Sequence, residues 1–178
     1  MSLQHLVQGA RRFGVFPPVR MHGLVAGVVW LALFAGANGR CLATEERQVR
    51  EHAVADCVEA ASRRHGVNPD LLLAILRVES DLVPHAVRRN ANGSIDVGIA
   101  QINSIHFSRL REYGLESAHL LDPCVGTYVA AWHLKNQILR HGNTWFAVGA
   151  YHSVTPRFNQ RYQVRVAQEL RRMGRLVP

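Results

Sequence analysis

The chain has 178 residues, with 21 Lys and Arg against 13 Asp and Glu for a net charge of +8. That length leaves room for one domain with a sizeable core. Four of the arginines, Arg11, Arg12, Arg20 and Arg40, lie in the first 43 residues, which hold no acidic side chain, so the remainder carries only +4 and composition gives little support for nucleic-acid binding. The ten histidines are scattered and none pairs with a cysteine or another histidine at ligand spacing, so no metal or other cofactor is expected.

From Gly23 to Gly36 the sequence is apolar or weakly polar, shorter than the roughly 20 residues of a spanning helix, and small residues follow. Residues 1–43 read as a signal peptide with a long basic leader, cleaved after Ala37, Gly39 or Ala43. The alternative is an uncleaved N-terminal anchor. Cleavage leaves 44–178 as one exported, periplasmic domain with no stable membrane span. Of Cys41, Cys57 and Cys124, cleavage after Ala43 leaves two, and export permits them to pair. A Cys57–Cys124 bridge closes a separation of 67 residues, worth roughly 4 kcal/mol in the chain-entropy model. Two separate buried thiols are the other reading.

Thr44 to Arg64 has helical spacing, with Val49, Ala53, Cys57 and Ala61 on one stripe and Gly66 ending it. Asn68 and Pro69 are an N-cap and a first-turn proline opening NPDLLLAILRVES, a helix apolar nearly all round and ending at Glu79. A carboxylate there faces the negative end of the helix and loses water, and both effects raise its pKa toward that of a general acid. The plainer reading pairs Glu79 with Arg77 or Arg88. Asn92-Gly93 marks a tight turn with Ser94 to Val97 as a short strand. Helices follow over Asn103–Tyr113, from Asp122-Pro123 to about His141, over Thr144–Tyr151 and from about Arg157 to Met173. Asn103 is either a cleft residue or an N-cap. The last helix carries Arg157, Arg161, Arg165, Arg171 and Arg172 against Glu169 alone, with Arg175 just beyond, a basic face that suits solvent or an acidic partner. The fold class is mainly α, with one small β-hairpin or loop excursion beside a cleft.

Glu79-Ser80 at the helix end, the glycine-led Gly98-Ile99-Ala100-Gln101-Ile102-Asn103 and the later Ala150-Tyr151-His152-Ser153 occur in an order that resembles lytic transglycosylases of the soluble type, in the lysozyme-like superfamily. NANGSIDVGIAQIN and AYHSVTPRFNQRY are similar to the small specialised forms associated with secretion, conjugation and pilus machines. The resemblance implies a lysozyme-like domain acting on peptidoglycan glycan strands, with parts of such an apparatus as partners. It makes Glu79 the acid/base, Ser80 a hydroxyl that positions it or its water, Gly98 and Gln101 a substrate wall, and Tyr151 the tyrosine facing the carboxylate. Three departures stand out. Ala100 replaces a methionine, His152 replaces an asparagine, and the interval from Glu79 to Gly98, 19 residues, is long. Asp81 stands about 200° round the helix from Glu79. Asp96 on the hairpin therefore remains the second carboxylate that would favour hydrolysis. A third reading, a wall-binding assembly protein without catalysis, does not account for Glu79.

Overall fold

The computed structural model describes residues 38–176. Residues 1–37 lie outside them, and with them most of the expected signal peptide and its apolar stretch. Helix α1 spans Asn38–His65, α2 Pro69–Ser80, α3 Phe107–Arg111, α4 Pro123–His141, α5 Trp145–Ala150 and α6 Pro156–Arg172. Strands β1 Val87–Arg89, β2 Ile95–Val97 and β3 Ile102–Asn103 form one antiparallel sheet in the order β1-β2-β3. Among the described residues no helix is long and apolar enough to cross a membrane.

Local chemistry sets most of these boundaries. Gly66 has φ 62°, and Val67 N–H returns to Ser62 C=O at 3.1 Å, closing α1. Asn68 Oδ1 accepts from Leu71 N–H at 2.9 Å, and Pro69 occupies the first turn of α2. Asp122 caps α4 in the same way through Val125 N–H at 2.9 Å, again ahead of a proline. The hairpin pairs Arg88 with Asp96, and β3 adds Asn103 opposite Asp96. This third strand was not expected from the sequence. Two residues are too few to show an alternating pattern.

Helix α2 is the buried centre, with Leu72, Ala74, Ile75 and Leu76 fully covered by α1, α4 and α6. Helix α1 begins upstream of Thr44, and its buried stripe is Val54, Cys57, Val58 and Ala61 rather than Val49 and Ala53. Each step of four residues advances about 40° round a helix, so a strict four-residue row leaves the buried face within two or three steps. Val49 is accordingly 69% exposed. Leu139 and Ile105 likewise fit a helical count yet stand at the surface.

Cys57 on α1 and Cys124 at the start of α4 are bonded, with Cα atoms 5.1 Å apart. The bridge fastens the two longest helices, whose apolar faces already pack together. Replacing both cysteines by serine is expected to lower unfolding stability by about 2–4 kcal/mol, read from urea denaturation of the oxidised parent and the double variant. A change under about 0.5 kcal/mol would mean that the packing alone fixes α1 on α4.

Candidate active site

Helix α2 delivers Glu79 to a cavity of about 560 Å³. One wall is the sheet and its turn, with Arg88, Asn90, Asp96 and Asn103, and the other is the α5–α6 connection, with Tyr151 and His152, and the first turn of α6, with Phe158. The chain leaves α2 at Asp81, where a left-handed residue (φ 53°) stops the helix and turns the backbone toward the sheet. Asp81 itself points away, held by Arg50 Nη2 at 2.8 Å, as its place on the helix requires.

The plainer pairings of Glu79 are not made. Arg77 serves Glu51 and, at 3.0 Å, Glu169, while Arg88 serves Asp96. Glu79 instead accepts one short hydrogen bond, 2.6 Å, from the Tyr162 hydroxyl to Oε1. Burial pushes its carboxyl up to about 7, while the Tyr162 bond and the charges of Arg165 and Arg88 pull down and Asp96 adds to the rise. A carboxyl that is half protonated near neutrality can both give and take a proton there.

Asp96 stands on the opposite wall in a contrary state. Its Oδ2 accepts from Arg88 Nη2 at 2.9 Å and Asn90 Nδ2 at 3.0 Å, and its Oδ1 from Asn103 Nδ2 at 2.7 Å. Burial alone would raise its pKa, but these donors outweigh it and hold the carboxyl below the usual range. Asp96 is therefore a fixed negative charge with most of its lone pairs engaged.

The other residues expected from the sequence divide into lining and support. Gln101 and Tyr151 line the cavity. Gln101 sits at φ 47°, and its amide donates to Ala86 C=O at 3.1 Å and Gly98 C=O at 2.9 Å, so much of its polarity is spent inside the wall. The Tyr151 hydroxyl donates to Ala100 C=O at 3.1 Å and does not reach Glu79. Ser80 and Gly98, expected to meet substrate or catalytic water, do not line the cavity. Ser80 Oγ donates to Ile99 C=O at 2.8 Å, tying the end of α2 to the turn behind the wall. Gly98 has φ 79°, and a Cβ there would lie 2.0 Å from Leu120 C=O, so only glycine fits. Asn103 combines both expectations: its Oδ1 accepts from Ile105 N–H at 3.1 Å while its Nδ2 holds Asp96.

Tyr162 is the residue that sequence reading missed. It lies three residues after Asn159 and four before Val166 on the buried stripe of α6, a helix noticed for its arginines. That stripe is the signal that marks the tyrosine as inward-facing. Among the described residues no cluster of His, Cys, Asp and Glu is arranged to hold a metal ion.

The raised pKa of Glu79 has a cost in stability. Above the ordinary value of 4.5 the unfolded chain releases a proton that the folded protein keeps until about pH 7. Folding stability therefore falls as pH rises through that window. Gln cannot ionise and can still accept from Tyr162. Glu79→Gln should be more stable than the parent by roughly 2 kcal/mol at about pH 8, allowing for water in the cavity, and nearly equal to it at about pH 4.5. Urea unfolding at the two pH values checks this, and a gap that does not change with pH would contradict it.

The fold and its site have counterparts. Residues 56–169 match the model of the Transglycosylase SLT domain. The chain is 40% identical over 104 residues to "Invasion protein IagB" of Salmonella typhimurium, an alignment covering 58% of this chain and 65% of that protein, just under two thirds of its length. It is 38% identical over 119 residues to "Protein IpgF" of Shigella flexneri, covering 66% of this chain and 78% of the other. Among solved structures, an inactive mutant of Lytic Transglycosylase Slt from Pseudomonas aeruginosa superposes with a TM-score of 0.53 at 16% identity, over 70% of this chain and 25% of that one. The folds correspond as lysozyme-like domains. By the family match and by these identities, the chain belongs to the Transglycosylase SLT domain family.

Proposed function

We propose that the protein is a peptidoglycan lytic transglycosylase, cleaving the β-1,4 bond between N-acetylmuramic acid and N-acetylglucosamine. The observation that carries this reading is Glu79, a cavity carboxyl with a pKa of about 7 and no ion-pair partner among the described residues. Protonated Glu79 donates to the glycosidic oxygen, and the bond from that oxygen to the muramic anomeric carbon breaks. The neighbouring acetamido group stabilises the positive carbon. Glu79, now a carboxylate, takes the proton of the muramic 6-hydroxyl as its oxygen bonds the same carbon. The products are a free N-acetylglucosamine 4-hydroxyl and a 1,6-anhydro sugar, without water consumed. One proton-shuttling group serves both halves, and the tethered 6-hydroxyl has a large effective concentration over free water.

A second reading has its own observation. Asp96 is ionised, lines the same cavity and acts on Glu79 through space, so a water held near it would make the enzyme a hydrolase. Against this, its lowered pKa and its bonds to Arg88, Asn90 and Asn103 leave it a weak base. In the wider reading, residues 1–43 are an export signal and the periplasm is the place of action. The names of the relatives, one of them an invasion protein, support local opening of the wall for an envelope-spanning machine.

The test is the chemistry of the released termini. Purified protein acting on murein should yield muropeptides ending in 1,6-anhydro-muramic acid, and Glu79→Gln should lose activity by about 10²–10⁴-fold or more. Asp96→Asn disturbs the join of all three strands and is expected to slow the enzyme while leaving the anhydro product unchanged. Reducible muramic ends as the main product would replace the transglycosylase reading with the hydrolase. Near-normal clearance by Glu79→Gln would remove Glu79 from the chemistry.

A further inference from the structure

We propose that His152 is a substrate-binding residue, its imidazole hydrogen-bonding a neutral hydroxyl or acetamido group of the sugar seated beside Glu79. The inference rests on the glycan-cleaving reading of the cavity and names a contact within it.

Four observations lead there. The ring lines the cavity. It lies flat on Tyr162, the ring centroids 5.2 Å apart and the planes within 8°, while the hydroxyl of that same tyrosine holds Glu79. His152 is thus fixed over the residue that fixes the acid, so whatever it binds is placed close to the carboxyl. Tyr162 is itself only 1% exposed, so the platform is part of the core.

Most of the polar wall on the sheet side is already satisfied. Asp96 is held by Arg88, Asn90 and Asn103, Ser94 Oγ accepts from both asparagines, and Gln101 donates into its own turn. Of the three imidazoles lining the cavity, His133 meets Tyr151 C=O at 3.1 Å, while His106 and His152 have no hydrogen-bond partner among the described residues, and of those two it is His152 that rests on the tyrosine holding Glu79. A polar group that faces a cavity and is unspent by its neighbours is the one that a ligand can use.

The ionisation state defines what it takes. His152 is exposed at the rim, yet its partial loss of water lowers the imidazole pKa, the charges of Arg165 on α6 and Arg88 on β1 lower it further, and Asp96 on β2 opposes them. At neutral pH the ring therefore carries one N–H donor and one nitrogen acceptor and no charge. That pair matches a sugar hydroxyl or an acetamido group, each a donor and an acceptor. A carboxylate gains less from it than from an arginine.

A purely structural role, the covering of Tyr162, is separable from this. Phe at 152 keeps the flat ring on Tyr162 and loses both nitrogens, and Gln keeps a donor and an acceptor while losing the stacked ring. The measurement is calorimetric binding of a peptide-free hexamer of alternating N-acetylglucosamine and N-acetylmuramic acid to the full chain carrying Glu79→Gln, so that nothing is turned over. Added His152→Phe should weaken binding about tenfold, the worth of one hydrogen bond, and His152→Gln should stay within about threefold of the parent. Phe binding as tightly as the parent, or Gln as weakly as Phe, would overturn the proposal. No binding of the hexamer by the parent would overturn it together with the glycan reading. Product analysis with the unmutated protein keeps the two apart. Tight, His152-dependent binding without anhydro products would refute the transglycosylase and leave the contact standing. Anhydro products with indifferent binding by the Phe variant would do the reverse.

Discussion

A carboxyl placed where water is scarce must either find a cation or give up its charge. Glu79 does neither completely, because its one strong partner is the neutral hydroxyl of Tyr162 at 2.6 Å. That bond holds the carboxylate form in reach without fixing it as an ion pair would. The fold is arranged so that the arginines nearby are engaged elsewhere: Arg77 with Glu51 and Glu169, Arg88 with Asp96, and Arg165 with Val78 C=O at 2.8 Å. Had Arg77 turned to Glu79, the same carboxyl would be a permanent anion. The buried ion pairs behind α2 therefore serve the site as much as the packing.

The two carboxyls of one cavity are driven in opposite directions by their different surroundings. Glu79 rises because burial is met by one donor, and Asp96 falls because burial is met by three donor side chains, one of them charged. Opposed shifts of this kind separate a group that exchanges protons from one that does not. Asp96 gains a structural task from it: the carboxylate joins β1 through Arg88 to Asn103 on β3, so the wall facing Glu79 is braced by the charge that also raises the pKa of Glu79. The α5–α6 side is braced differently, by rings, with Tyr151 and His152 both parallel to Tyr162.

What could be read from the sequence is what depends on near neighbours. Asn68-Pro69 and Asp122-Pro123 announced the starts of α2 and α4, Asn92-Gly93 the hairpin, and the end of an apolar run placed Glu79. Gly98 was legible as a special position, and the structure supplies a reason in the close approach of Leu120 C=O. What could not be read depends on partners far apart in the chain. Tyr162 is 83 residues from Glu79, and although the stripe of its own helix turns it inward, nothing local says that it meets Glu79 there. The Arg88–Asp96–Asn103 join follows from strand register, which a two-residue strand does not encode by pattern. The expected stripe of α1 was right at Cys57 and Ala61 and wrong at Val49 and Ala53, because a strict four-residue row drifts off the side that packs against α4.

The central claim is that the fold makes Glu79 a neutral-range acid. Its most direct test is a carboxyl ¹³C titration of the intact, glutamate-labelled protein, with Glu79 assigned through Glu79→Gln. A midpoint near 7 is predicted. A midpoint at or below 4.5, the value of an ordinary glutamate, would contradict the account, because the carboxyl would then be a plain anion at neutral pH with no proton to give.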